Sequence, residues 1–178
     1  ELNVYFDENI QTQSLAKEID SYLEENKLGA VVTDTIEANL IVSESDETVF
    51  IHKANGKEIL YQEDKKAGKY DIRNLTTSIF NYAQGNYLKN LSLKNYNYEF
   101  EFRLLPAQRD DVSGEIELLE STAFVDDAGK FKVNTTGDIV YLEVTNESDR
   151  PLYFSIIEIN SKGEVASFMP NDDCALND

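Results

Sequence analysis

Apolar positions keep a helical period in two stretches before residue 95 and in none after it. Leu2 to Phe6 (LNVYF) is a short apolar run, and it predicts a strand. A polar loop, DENIQTQ, follows. Leu15, Ile19, Tyr22 and Leu23 then recur at i, i+4, i+7 and i+8, which predicts a helix over about Ser14–Lys27 with Ser14 as its N-cap. Gly29 is placed to stop it. Strands are expected over Ala30–Thr35, Asn39–Ser45 and Thr48–Ala54. Asn55–Lys57 (NGK) has the residues of a tight hairpin turn, with EILYQE as the return arm. Leu75, Ile79, Ala83, Tyr87 and Leu91 at steps of four predict a second helix over about Tyr70–Leu91. Gly85 inside it conflicts with helix propensity.

From Tyr96 the period is that of strands. In YEFEFRLLP, Tyr98, Phe100, Phe102 and Leu104 share one face, while Glu99, Glu101 and Arg103 share the other. That alternation describes a strand with one face in a core and one in water. EIELLES is a weaker strand, and FVDDAGKFKV turns at Asp126–Gly129. Asp138 to Pro170 supplies three more strands, separated by NESDRP and NSKG. The expected class is therefore α+β. A two-layer α/β module (1–95, order β-α-β-β-β-β-α) would be followed by an antiparallel β-sandwich (96–178). The closing hairpin, Leu152–Asp172, is apolar on both faces, which predicts a central, doubly covered place in that sandwich.

Composition narrows the function classes. A length of 178 residues suits one domain or two small ones, with no disulfide staple required. The net charge of −18 opposes nucleic-acid phosphates and anionic lipid. No nucleic-acid partner is expected, and no stretch is apolar enough to form a membrane span. The chain starts at Glu1 and ends in CALND, so a piece of a longer or processed chain, truncated at its C-terminal end, is expected. The compartment stays open, with an extracytoplasmic place favoured.

Candidate chemistry is sparse. His52, the single histidine, lies in VFIHKA on the face opposite Val49 and Ile51, where packing explains it. Cys174, the single cysteine, sits among aspartates that disfavour a thiolate, so a dyad with His52 has little support. The acidic segments at Asp126 and Asn146 lack the ligand spacing of a calcium loop and read as turns. NDDCALND has oxygen ligands without ordered spacing. No phosphate-binding glycine loop and no serine elbow occurs. Among 34 acidic residues no pair stands out for hydrolysis. No catalytic, cofactor-binding or metal-ligating residue is assigned, no cofactor is implied, and the binding residues stay unknown.

Three segments carry a resemblance. Ala38–Val42 (ANLIV), Ile79–Leu91 (IFNYAQGNYLKNL) and above all Gly137–Asp172 resemble the accessory region of bacterial caspase-like (metacaspase-type) peptidase proteins. That region ends in a β-rich domain of unknown function. Tyr153, Gly163, Val165 and Pro170-Asn171 match its pattern. The peptidase's own His and Cys motifs are absent, so no catalytic residue carries over. The resemblance implies a non-catalytic binding or regulatory region whose partner is an upstream caspase-like domain or another protein. The alternatives are a free-standing envelope or adhesion protein that binds glycan or protein through the sandwich, and a small carboxylate-dependent hydrolase.

Overall fold

A computed structural model describes residues 1–55, 58–92, 99–134 and 137–169. Among them, two helices and ten strands in three mostly antiparallel sheets give the expected α+β class. The chain divides into two compact units. The first is discontinuous, taking residues 1–92 and 155–178, and the second is the intervening 93–154. The change of period near residue 95 thus falls close to a division between units. The last strand pair, however, belongs with the first unit.

The first unit is built on a five-stranded sheet of order β2-β1-β3-β4-β5. Its strands are β1 (Leu2–Phe6), β2 (Gly29–Val32), β3 (Leu40–Ser45), β4 (Thr48–Lys53) and β5 (Ile59–Asp64). β1 runs parallel to β2 and β3, and the rest pair antiparallel. Alternation places Val4, Leu40, Val42, Val49 and Ile51 on one face, all buried. Leu15, Ile19 and Leu23 of helix α1 (Gln13–Glu25) and Leu75 and Ile79 of helix α2 (Ile72–Asn90) close the same core. This is the expected two-layer packing: one apolar sheet face under two amphipathic helices.

Three local expectations change. Thr12, not Ser14, stands at the N-cap of α1, and its side chain makes no capping bond to the helix. At the other end Lys27 takes the left-handed conformation (φ 52°). Leu28 N–H bonds Leu23 O at 3.0 Å and Lys27 N–H bonds Glu24 O at 3.1 Å, a Schellman closure. Gly29 instead opens β2, where a Cβ would overlap the backbone of Leu2. In α2 the stripe at steps of four drifts about 40° per step against 3.6 residues per turn. Leu75 and Ile79 are therefore buried while Tyr87 and Leu91 are exposed.

The hairpin of β9 (Ile156–Ile159) and β10 (Val165–Met169) forms its own two-stranded sheet. Its outer positions Ile157 and Phe168 are exposed, so it is not the doubly covered centre that its apolar faces imply. Its turn is tied by Asn160 Oδ1, which accepts from Lys162 N at 2.9 Å and Glu164 N at 3.0 Å. The turn docks on α2, where Gly163 meets Gly85. Lys53 Nζ adds a bond to Ser161 O at 2.9 Å.

In the second unit, β6 (Phe100–Arg109) pairs with β8 (Ile139–Asn146) along its length and with β7 (Ile116–Leu118) at one end. The described residues form this single three-stranded sheet. The strand spacing leads to a sandwich, but β9 and β10 join the other unit instead. Pro170, Asn171 and Cys174 lie outside the described residues, as do Gly56 and Lys57 of the NGK turn.

Candidate functional site

The most elaborate polar cluster surrounds Glu44. The pattern Leu40, Val42, Glu44 along β3 puts this carboxylate on the core face, where it is 9% exposed. It stands at the carboxyl ends of β1 and β3, where chain connections part to opposite sides of β1. Open α/β sheets commonly bind ligands at such a crevice. Here the protein's own side chain fills it. Gln11 N and Thr12 N donate to Oε2 at 2.9 and 3.0 Å. Oε1 accepts from Thr12 Oγ1 at 3.1 Å, Tyr70 OH at 2.9 Å and Lys65 Nζ. Lys65 Nζ also lies 5.1 Å from the centre of the Tyr70 ring.

The electrostatics fit a clamp. Burial pushes the Glu44 carboxyl up, but Lys65, the Thr12 N–H, Tyr70 and the Thr12 hydroxyl together outweigh it and hold the pKa down to about 2. Burial, and then the bond to Glu44, push the Tyr70 phenol upward. A carboxylate that is ionised at neutral pH and saturated by five donors is neither a general acid nor an open ligand. It joins the β1–α1 loop, β3 and the segment before α2. It also supplies the anion that the backbone entering α1 attracts.

Among the described residues, those singled out from sequence have local roles; Cys174 lies outside them. His52 stacks on Phe50 with ring centres 5.8 Å apart, and its Nε2 lies 3.1 Å from Ser43 Oγ. Asp126 organises a turn: Oδ1 accepts from Ala128 N at 2.9 Å and Lys130 N at 2.8 Å, and Oδ2 pairs with Lys132 at 2.9 Å. Asn146 does likewise, with Oδ1 accepting from Ser148 N at 3.0 Å and Nδ2 donating to Arg150 O at 2.7 Å. Among the described residues no three His, Cys, Asp or Glu side chains are grouped to hold a metal ion. Every displaced carboxyl there, at Glu44, Asp110 and Asp126, is displaced downward. A hollow of about 340 Å³ beside the docked hairpin is lined by Tyr61, Asn74, Ser78, Asn81, Lys162 and Glu164. Among the described residues Glu164 is the one acid in its lining.

The apolar face of β6 and β8 offers more. Directly opposed residues share a face, so Phe102 lies with Val144 and Leu104 with Leu142. Phe100 and Val140 extend the stripe at its two ends. The alternation predicts a core face, yet Phe100, Phe102 and Leu104 are 60%, 63% and 42% exposed. The opposite face carries Glu101, Arg103 and Glu143, with Arg103 bonded to Glu101 at 2.9 Å. The sequence signals the stripe through its period, but period alone does not report that it is left open.

No family model, curated protein or solved structure matches this chain.

Proposed function

We propose that this chain is a non-catalytic binding region that engages a protein partner through the Phe100–Phe102–Leu104 face of its second unit. The observation that carries this reading is the exposure of Phe100, Phe102 and Leu104, with the half-buried Val140, Leu142 and Val144 on the same face. Exposed phenylalanine flanked by aliphatic side chains loses water favourably only against another apolar surface. The polar cluster at Glu44 is closed on itself and leaves no group free for chemistry. The accessory region of a caspase-like protein, suggested by Gly137–Asp172, is a role of this kind. The partner is then either a peptidase domain of the same polypeptide or a separate protein.

The envelope or adhesion reading draws on the same exposed rings, Phe100 and Phe102. Glycan recognition needs free hydroxyls and amides beside a ring; the amide opposite Phe100, Asn146, is already bonded to Ser148 N and Arg150 O, and the other neighbours are Leu104, Leu142 and Val144. Protein is the better-matched ligand in either setting.

The test is a photo-crosslinking residue placed at Phe102 and, as control, at Arg103 on the opposite face, with the natural protein expressed in its own cells. One defined protein, or one defined segment of the same polypeptide, captured from Phe102 and not from Arg103 is expected. No product from Phe102, or equal products from both faces, overturns the proposal. Turnover of peptide or ester substrates by the purified chain, lost in Cys174→Ala, overturns its non-catalytic part.

A further inference from the structure

We infer that the partner engages as an added strand: an extended segment, alternating apolar and basic side chains, pairs with the open edge of β8. The inference rests on the binding role proposed for the same face and adds the form and chemistry of the partner.

The backbone directions carry the first step. Glu147 N–H bonds Glu99 O at 2.9 Å, and the β6–β8 register continues in single steps from Phe100 opposite Asn146 to Ala107 opposite Ile139. Hydrogen-bonded and non-hydrogen-bonded pairs alternate along an antiparallel ladder. Glu101–Thr145, Arg103–Glu143, Leu105–Tyr141 and Ala107–Ile139 are therefore the bonded pairs. Phe100–Asn146, Phe102–Val144, Leu104–Leu142 and Pro106–Val140 are the others. Pro106 agrees, since it has no N–H to give and its carbonyl accepts from Leu119 N at 2.8 Å on the β7 side. The N–H and C=O groups of Val140, Leu142 and Val144 thus point away from β6.

β8 is the edge of its sheet, and no other described strand pairs with it. An eight-residue edge with no bulge in its register is a template for another strand. Three of the four β8 residues with outward backbone groups, Val140, Leu142 and Val144, also supply side chains to the apolar stripe, and the fourth is Asn146. An added strand would widen that stripe with every second side chain.

The intervening side chains of the added strand would lie on the polar face, beside Tyr141, Glu143 and Thr145. That face holds Glu101 and Glu143 around Arg103, and Glu99 and Glu147 close its end. Lysine or arginine at those positions matches this charge. A second copy of this chain, itself at −18, is a poorer match.

The experiment uses a short synthetic peptide alternating Lys and Val over the length of β8. Its control is an isomer of the same composition with Lys and Val in separate blocks. Amide exchange is read on the whole chain. The alternating peptide is expected to protect Val140, Leu142 and Val144, and the block isomer to leave them exchanging. Glu143→Lys is expected to weaken binding about three- to fivefold. Equal protection by both peptides, or none by either, overturns strand addition. A partner captured at Phe102 that leaves these amides exchanging defeats strand addition alone, whereas no capture at Phe102 defeats the binding role itself.

Discussion

Gly85 in the middle of α2 and Gly163 in the β9–β10 turn are placed so that neither can carry a side chain. A Cβ on Gly85 would lie 2.6 Å from Gly163 O, and one on Gly163 would lie 2.6 Å from the Tyr82 Cα. Gly163 also sits at φ +84°, where side chains are strained. Alanine at Gly85 favours an isolated helix by about 1 kcal/mol. Gly85→Ala is nonetheless expected to release the hairpin: amides of β9 and β10 exchange faster while those of β1, β3 and β4 keep their protection. Gly163→Ala should do the same, and the double variant should cost less than the two single changes added together. Unchanged exchange in β9 and β10 would refute the docking.

The Gly85 example marks how far the sequence can be read. Local period finds α1, α2 and most strands, because each signal lies within one segment. The reason for a glycine in a helix lies about eighty residues away, so Gly85 appears as a conflict until Gly163 is placed against it. Glu44 is similar. Its inward position follows from Leu40 and Val42, but its donors come from Gln11, Thr12, Lys65 and Tyr70, which no period links. The helix stop failed for a different reason. Lys27 accepts the left-handed turn itself, and Gly29 answers a close approach to Leu2 instead. For the candidate site, alternation reveals the Phe100–Leu104 stripe, while its exposure depends on which strands join which unit.

Glu44→Gln removes the charge that balances Lys65, whose side chain is 15% exposed. Leaving a largely buried ammonium without its partner costs about 3–5 kcal/mol. Chemical denaturation is expected to show a loss of that order. Glu37→Gln, at an exposed position, should change stability by less than about 0.5 kcal/mol.

Acid should weaken the first unit through the same residue. The folded pKa of Glu44 is depressed from 4.5 to about 2. Its stabilisation is therefore complete above the unfolded value and is lost as pH falls from about 5 towards 2. The contribution is on the order of 3 kcal/mol. Urea midpoints across this range should decline more steeply in the native chain than in Glu44→Gln. Parallel decline in both would contradict the clamp.

Asp46 and Glu47 join β3 to β4 with φ of 49° and 66°, both left-handed. A two-residue turn of this type prefers glycine at its second position. Glu47→Gly is expected to raise stability by about 0.5–1 kcal/mol, measured by thermal melting. A loss of stability would show that the Glu47 side chain contributes more than its backbone strain costs.

The proposed binding role requires Phe102 to be a contact residue and not half of a core. Its most direct test is a calorimetric titration of the partner captured at Phe102 against the native chain and against Phe102→Ser. Binding at least about tenfold weaker, with an unchanged melting temperature, is the expected result. Equal affinity in the two chains, or unfolding of the variant, would contradict it.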